Sequence, residues 1–410
     1  MAKDIKPLDM SPLFPPELLG RPCRERVKFF REKIIKHPEI ERVCEEILCA
    51  VEDVTPGSLV ICCGPPGVGK STVSKKVEEV LTERRRVELE NDPGALAVAS
   101  MRLKSPQNGN FDWKKHYFKP LLVATEEPLV DKKIDMSPWA PHHASSMRIL
   151  ASPRADCDAL RDACDVMLEH RKPTAVLIDD AQHAGVISSG RRQVDQTNTF
   201  KSMAEITKVT HVLFATYEFV SFRNLNGQVS RRSTDIHFLR YRAHYRQERD
   251  ALINVIYTFQ RWLALEHMPV FVKPDSTCPD WDYFYEHSLG CVGVLKDWLT
   301  RAYSLALREG AKTLTFDHLD RRALSVSART QLLAEITGGE DELEDSVEKR
   351  RLLRVNLKLE EPSGKGSSPG PAQTSGHGEK SAQDASKRSG KGRRPGKRNA
   401  VRDEIGERAA

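Results

Sequence analysis

A glycine-rich loop at residues 64–72 carries the strongest chemical signal in the chain. Its sequence, GPPGVGKST, matches the pattern G-x-x-x-x-G-K-[ST]. An apolar run at residues 59–63 precedes the loop, and a helical pattern at residues 74–81 follows it. In this context, backbone N–H groups and the helix N-terminus point towards anionic oxygens. The loop therefore predicts a phosphate-binding site; the alternative is a glycine turn with a solvated lysine.

The side chains of the loop specify this prediction further. Lys70 can reach the β- and γ-phosphates of a nucleotide, and the Ser71 hydroxyl can ligate Mg²⁺. We therefore expect a nucleotide site with Mg²⁺ at this loop. The predicted nucleotide-binding residues of the loop are Gly64, Pro65, Pro66, Gly67, Val68, Gly69, Lys70, Ser71 and Thr72.

Two aspartates follow a second apolar run, at residues 174–178. Downstream of a phosphate loop, a strand that ends in carboxylates is typical of the second half of an ATPase site. Asp179 would hold Mg²⁺, directly or through water, and Asp180 would polarise the attacking water. The alternative is an edge strand that ends in a solvated pair of aspartates.

Two further positions fit the same kind of site. Thr216 follows the apolar run 210–215 and can sense the γ-phosphate from there. Arg231 and Arg232 precede a further run at 236–239. Seen alone, adjacent arginines are more often surface charge, whereas in a ring- or filament-forming ATPase they reach the nucleotide of a neighbour.

Elements of alternating type must position these residues. Apolar strand patterns at 59–63, 94–101, 174–178, 210–215 and 236–239 are separated by helical patterns, which predicts a parallel α/β sheet with ligand at the carboxyl edge of the strands. Two apolar stripes between residues 22 and 51 predict helices that lean on the nucleotide domain. From Tyr245 onward the pattern is helical only, at 247–266, 293–308 and 315–325, which predicts a separate helical lid.

The predicted domain organisation follows from these patterns. An N-terminal arm with helices occupies 1–52, an α/β nucleotide-binding domain 53–244, a helical lid 245–337 and a charged tail 338–410. The long separation between Lys70 and Asp179 predicts an insertion at about 102–153. The tail is too polar to bury a core and is expected to be disordered. Residues 363–410 hold eleven Lys and Arg against five Asp and Glu, so the net charge of +6 lies there. A basic tail on a neutral body is a common way to hold nucleic acid.

Basic residues interleaved with aromatic ones mark the start of the insertion. Such a pattern can grip a nucleic-acid backbone without sequence preference. A solvated helix face over a packed aromatic stripe is at least as compatible with it. The candidate DNA-binding residues are Arg102, Lys104, Lys114, Lys115 and Lys119.

Composition excludes several other classes of protein. No apolar run approaches the roughly 20 residues of a membrane span, and the N-terminal segment lacks the apolar core of a signal peptide. The nine cysteines are scattered and lack the paired spacing of zinc sites. We expect a reduced, cytosolic protein with no membrane association and no metal apart from Mg²⁺.

The order of these features resembles that of AAA+ ATPases. The chain more specifically resembles the TnsC/TniB family of transposition regulators, over about residues 20–335. Three stretches carry this resemblance: 110–133, which runs from NFDW to DKK; 177–183, which is LIDDAQH; and 285–299, which is YEHSLGCVGVLKDWL. The implied fold is an AAA+ P-loop domain of class α/β with a parallel sheet, a helical lid and a disordered basic C-terminal tail.

The resemblance also implies roles by position. Lys70 and Ser71 match the phosphate and Mg²⁺ contacts, and Asp179 matches the carboxylate on the metal side. Asp180 stands where AAA+ proteins more often have a catalytic glutamate; because aspartate is one methylene shorter, slow hydrolysis is expected. The remaining matches are Thr216 as the first sensor, Lys296 as the second sensor in the lid, and Arg232, with Arg231 as alternative, as the trans-acting arginine.

The function implied by the resemblance is an ATP- and Mg²⁺-dependent regulator of DNA transposition. Such a protein assembles into a homo-oligomeric ring or filament on double-stranded DNA in the bacterial cytosol, associated with the nucleoid. Its implied partners are a transposase and a target-selection protein of the TniQ/TnsD type or an RNA-guided complex. Two alternatives stay open: an AAA+ motor or loader ATPase in DNA replication or secretion, and a weakly hydrolysing ATP-binding scaffold.

Overall fold

The chain alternates strands and helices as far as residue 237 and is helical beyond it. The structure is a computed structural model that describes residues 11–53, 57–107, 109–130, 157–185, 190–220, 233–269, 271 and 280–359, with no side chains described at 190–197. The strands are β1 (Leu59–Cys63), β2 (Val98–Arg102), β3 (Ala175–Asp179), β4 (Thr210–Ala215) and β5 (Ser233–His237).

The helices lie before and after β5 in chain order. Those before β5 are α1 (Cys23–Glu32), α2 (Pro38–Asp53), α3 (Lys70–Arg84), α4 (Arg86–Asn91), α5 (Lys119–Ala124), α6 (Cys157–Arg171) and α7 (Gly190–Thr207). Those after β5 are α8 (Arg246–Trp262), α9 (Trp281–Ser288), α10 (Val292–Arg308), α11 (Phe316–Asp320), α12 (Val326–Leu343) and α13 (Val347–Asn356). Short turns of 3₁₀-helix lie at Pro16–Gly20 and Ala181–Gly185, and a π-helix spans Lys114–Phe118.

The five strands form one parallel sheet in the order β2-β3-β4-β1-β5. Parallel strands place all their carboxyl ends at one edge, which is where ligands bind in open α/β sheets. The loop after β1, the aspartates after β3 and Thr216 after β4 therefore share that edge. The predicted α/β fold with a parallel sheet is confirmed.

Helices cover both faces of the sheet. Successive residues of a strand point to opposite faces, so each strand packs against helices on both sides. In β1, Leu59 and Ile61 pack into the core that holds Tyr117 of the insertion. Val60, between them, packs on the other face with Val73 of α3. Both faces are apolar, as expected for a parallel sheet that is covered on each side.

The two N-terminal helices pack on different parts of the molecule. Helix α2 lies against the sheet through residues such as Ile47, as the sequence predicted. Helix α1 instead packs in the aromatic core of the lid, where the Phe30 ring meets Phe259 and Tyr303 edge to face at 5.8 and 5.9 Å. The prediction that both helices pack on the nucleotide domain is therefore wrong for α1, because Phe30 packs against aromatic side chains of the lid.

The predicted lid boundary at 337–338 falls inside α12. Two adjacent glycines, Gly338 and Gly339, predict the end of a helix, yet the helix continues through both. Gly339 lies against the ring of Tyr217. Helix α13 follows, with the Ser346 hydroxyl accepting from the backbone N–H of Lys349. The first part of the predicted tail is thus largely helical, and residues 360–410 lie outside the described residues. Among the helices that the structure describes, none is long and apolar enough to cross a bilayer.

Candidate nucleotide site

The loop after β1 turns sharply before α3 begins at Lys70. Gly67 and Gly69 have φ angles of 72° and 123°, in a region that residues with a Cβ rarely adopt. The backbone N–H of Gly64 donates to the carbonyl of Ala215 at the end of β4, at 3.2 Å. The loop therefore follows the strand edge closely and presents its backbone at the start of α3.

Lys70 is buried beneath this loop. Its Nζ donates to the carbonyl oxygens of Gly64 and Pro65, both at 2.8 Å. Burial lowers the pKa of the Lys70 ammonium, and a neighbouring anion would oppose that shift. An ammonium group has three donors. Two of them shape the loop, and the third is available for a phosphate oxygen.

Ser71 and Asp179 meet across the strand edge. The Ser71 hydroxyl donates to Asp179 Oδ2 at 2.6 Å, so both oxygens can join the ligand sphere of one ion. In the described part of the chain, no cluster of three or more His, Cys, Asp or Glu side chains could hold a metal by itself. This set suits Mg²⁺, which takes one or two protein oxygens and completes its sphere with phosphates and water.

Asp180 is held in an uncommon conformation. Its φ of 55° lies in the left-handed region, at a cost of about 1–2 kcal/mol for a residue other than glycine. Its Oδ2 accepts from Arg102 Nε at 2.5 Å, and its Oδ1 accepts from Gln182 Nε2 at 3.2 Å. Hydrogen bonding and charge attraction from Asp180 raise the pKa of Arg102. Arg102, a candidate DNA contact by sequence, thus binds the candidate catalytic carboxylate.

Thr216 faces the loop from the end of β4. It shares a cleft of about 290 Å³ with Pro66, and its Oγ1 is buried without a hydrogen-bond partner. Its backbone N–H donates to Gln182 Oε1 at 3.3 Å. The sensor role of Thr216 stays a prediction.

The lid contacts the loop through Gly293 and not through Lys296. Lys296 Nζ donates to the carbonyl oxygens of Arg31 and Lys33, at 2.7 and 2.5 Å, and so binds the end of α1. One turn earlier, the backbone N–H of Gly293 donates to the carbonyl of Gly67 at 2.7 Å. A Cβ on Gly293 would lie 2.4 Å from that oxygen. This contact was not predicted from the sequence, in which a glycine near the start of a helical pattern is the only sign of it.

A large cavity opens beside the loop at Thr72. Its volume is about 550 Å³, and Ile34, Ile35 and Ile40 supply apolar walls. The Ile34 side chain is 57% exposed, which is unusual for a large apolar residue beside a cavity. Ligand pockets of this size are typically apolar with a few polar groups. Ile35 and Ile40 are buried, as the apolar stripes predicted, whereas Ile34 is exposed; the cavity itself was not predicted from the sequence.

The remaining predicted residues are the arginine pair and the candidate DNA contacts. Arg231 and Arg232 lie outside the described residues. Lys104 and Lys119 are exposed, Lys114 is half-buried, and Lys115 lies 3.7 Å from Asp112 in an ion pair. Of the five candidate DNA contacts, only Arg102 lies at the nucleotide site. The aromatic residues between them are core, since Tyr117 and Phe118 are buried.

A family model described as an AAA domain matches residues 54–221. The matched segment begins before β1 and includes the loop, both aspartates and Thr216. Residues 54–221 are thus similar to an AAA domain, and the parallel sheet with its loop has the α/β fold of AAA+ P-loop proteins. No curated protein shows significant sequence similarity to the chain.

Several solved structures overlap with the chain in part. Cdc6p from Pyrobaculum aerophilum is 12% identical, with 72% of this chain and 69% of that chain covered and a TM-score of 0.41. A Walker-type ATPase of Pyrococcus abyssi is 15% identical, with coverage of 80% and 79% and a TM-score of 0.41. Drosophila ORC bound to DNA is 13% identical, with coverage of 88% and 86% and a TM-score of 0.40. The fold assignment rests on the family match, the strand order and the loop; the resemblance to transposition regulators is not confirmed.

Proposed function

We propose that the chain is an Mg²⁺-dependent ATPase that works as a nucleotide switch on DNA. The observation that carries this proposal is the 2.6 Å hydrogen bond between the Ser71 hydroxyl and Asp179 Oδ2. It joins the phosphate loop to the acidic end of β3, beside the ammonium group of Lys70. Mg²⁺ at this pair would neutralise phosphate charge during transfer to water.

The residues of the site divide the work. Lys70 and the backbone of the loop hold the phosphates, and the cavity beside Thr72 takes the nucleoside. Asp180 accepts a proton from the attacking water, and Thr216 fixes the terminal phosphate. In the structure Asp180 Oδ2 is bound to Arg102. Hydrolysis therefore requires Arg102 to release this oxygen, which makes the rate of turnover slow and open to control.

Action on DNA follows from the distribution of charge. The net charge of +6 is concentrated in residues 363–410, and exposed lysines at 104 and 119 add to it on the ATPase domain. Two DNA-linked roles remain, a loader or motor in replication and a transposition regulator with a transposase as partner. The names Cdc6p and ORC agree better with the loader, but TM-scores near 0.4 do not decide between the two. Self-assembly and a trans-acting arginine at 231 or 232 belong to both.

A scaffold that binds ATP without turning it over is the second candidate. The Arg102–Asp180 ion pair favours it, because the guanidinium occupies the Oδ2 atom that would contact the attacking water. Steady-state phosphate release separates the two: measurable release that depends on Mg²⁺ supports the ATPase, and its absence with intact ATP binding supports the scaffold. Stimulation by a transposase, compared with stimulation by DNA alone, distinguishes the transposition role from the loader.

Substitution of Lys70 tests the site itself. Lys70→Ala removes a buried cation matched to the phosphates, and loss of one charged hydrogen-bonding group weakens binding by roughly tenfold to a hundredfold. The measurement is titration with a fluorescent ATP analogue in the presence of Mg²⁺. Lys312→Ala is the matched control, since Lys312 is an exposed lysine of the lid that pairs with Glu266. Wild-type ATP affinity in Lys70→Ala would refute the site.

A further inference from the structure

We propose that Gln182 is a positioning residue of this site, whose side-chain amide couples the end of β4 to the carboxylate of Asp180. The inference rests on the proposed ATPase function and concerns a residue to which the phosphate-loop and aspartate motifs give no role. Gln182 donates from Nε2 to Asp180 Oδ1 at 3.2 Å. Its Oε1 accepts from the backbone N–H of Thr216 at 3.3 Å. One side chain thus spans two strand ends.

The chemistry of these partners fixes the orientation of the amide. The backbone N–H of Thr216 only donates, and an ionised carboxylate only accepts. A primary amide at position 182 satisfies both at once, with its oxygen towards Thr216 and its nitrogen towards Asp180. Glutamate would keep the acceptor but place a second negative charge against Asp180. Asparagine has both groups on a side chain one methylene shorter, and methionine has the length without either group.

Gln182 is also better anchored than the other partner of Asp180. It lies in the 3₁₀ turn Ala181–Gly185, in which Ala181 and Ala184 are fully buried. The Arg102 side chain is 68% exposed, so water competes for its hydrogen bond with Asp180. When Arg102 leaves, Gln182 is the described side chain that still holds Oδ1. The left-handed backbone of Asp180 needs such a partner, because strained conformations persist only where their surroundings fix them.

This arrangement links the sensor to the base. Thr216 lines the cleft that contains Pro66 of the loop, and the backbone N–H of the same residue donates to Gln182. A shift of the strand end towards a terminal phosphate therefore moves the amide, and with it the Asp180 carboxylate. Such positioning acts on the chemical step and leaves the phosphate contacts of the loop unchanged.

Steady-state kinetics of three variants test the proposal. Gln182→Met should lower kcat by roughly tenfold to a hundredfold, the range expected for loss of one hydrogen bond to a charged group. The KM for ATP should stay within about twofold, since no ground-state contact is lost. Gln182→Glu should lower kcat at least as much, and Gln182→Asn should restore part of the activity. Gln331→Met is the matched control, because Gln331 is an exposed glutamine of α12 that binds Glu335; it should leave kcat unchanged.

A double-mutant cycle separates positioning from general destabilisation. If Gln182 acts through Asp180, then Gln182→Met should change kcat by less than about twofold in an Asp180→Asn background. Equal losses in both backgrounds, or a rise in KM that matches the fall in kcat/KM, would overturn the positioning role. If the wild type turns over ATP and Gln182→Met has the same kcat, the positioning role is overturned while the proposed ATPase function stands. Absence of turnover by the wild type would overturn the proposed ATPase function as well.

Discussion

The two carboxylates after β3 differ because different groups hold them. Asp179 accepts from the Ser71 hydroxyl and lies towards the loop. Asp180 turns away through its left-handed backbone and accepts from Arg102 and Gln182. Adjacent residues of one type thus reach separate environments, which is the arrangement that metal binding and water activation require. The division into a metal ligand and a water-activating group, which sequence order suggested, stays a prediction.

Asp165 of α6 is a half-buried acid outside the nucleotide site. Burial raises its pKa from 3.8 to about 6; Arg161 opposes this shift, while Asp162 and Glu169 add to it. Its Oδ1 is buried without a hydrogen-bond partner, and Arg161 Nε lies 3.9 Å from its Oδ2. The folded protein therefore binds the proton of this group more tightly than the unfolded chain does. Its ionisation lowers stability progressively as pH rises from about 4 to above 6.

Asp165→Asn should remove this pH dependence. At pH 7.5 the variant should gain about 1–3 kcal/mol in free energy of unfolding, because it no longer ionises a half-buried group. At pH 4 the two proteins should differ little, since the wild-type carboxyl is then protonated. Urea unfolding at both pH values gives the comparison. Asp158→Asn is the control: this exposed residue in the first turn of α6 should lose less than about 1 kcal/mol at pH 7.5. A gain for Asp165→Asn that is equal at both pH values would contradict the assignment.

Strand order decides which residues meet at the site. Adjacent strands β2 and β3 pair Arg102 with Asp179, and Arg102 therefore reaches Asp180. Local patterns placed Arg102 in the insertion because the strand runs one residue further than its apolar pattern. The loop and the aspartate pair were predictable because each is defined by fixed local spacing. The contacts of Arg102 with Asp180, of Gln182 with Thr216 and of Gly293 with Gly67 were not, because each joins segments distant in sequence.

Helix α12 contacts the segment that follows β4. Gly339 lies so close to Tyr217 that a Cβ there would be 2.1 Å from the ring carbon Cγ. The next residue, Glu340, accepts from Arg240 Nε and Nη2 at 3.0 and 3.1 Å. Tyr217 directly follows Thr216, the predicted sensor, in sequence. Helix α12 therefore contacts the residue next to the predicted sensor.

Two adjacent glycines of α12 provide a matched test of this contact. Gly339→Ala should destabilise the protein by about 1–3 kcal/mol, the usual cost of overpacking. Gly338→Ala should stabilise it by about 0.5–1 kcal/mol, since a Cβ there meets nothing within 4 Å and alanine favours a helix. Thermal unfolding measures both, and nucleotide titration should show weaker ATP binding only for Gly339→Ala. Equal stability of the two variants would mean that α12 does not press on Tyr217.

At the scale of the molecule, the chain divides into two compact units, Met1–Asp345 and Ser346–Ala410. A truncation at 338, the predicted start of the tail, would remove Gly339 and Glu340 and with them the contacts of α12 with Tyr217 and Arg240. Removal of 346–410 keeps those contacts and still deletes the basic segment. The division therefore indicates where the chain should be cut when the role of its charge is tested.

The last prediction concerns how DNA is held. Contacts to phosphates release counterions, so affinity should fall steeply with salt and show no sequence preference. Removal of 346–410 should weaken binding modestly and leave it dependent on ATP, because the tail adds general attraction. Lys104→Glu with Lys119→Glu should cost more, since these exposed lysines belong to the ATPase domain and can be ordered by nucleotide.

Filter binding with and without ATP across a salt series measures these effects, and each lost phosphate contact should reduce the slope of log affinity against log salt by about 0.9. Lys312→Glu, on the lid, is the control and should leave the ATP-dependent slope unchanged. If deletion of 346–410 alone abolishes ATP-dependent binding, while the lysine variants bind as the wild type does, then the second unit holds the DNA. In that case Lys104 and Lys119 belong to a solvated surface, as the alternative interpretation of the sequence allowed.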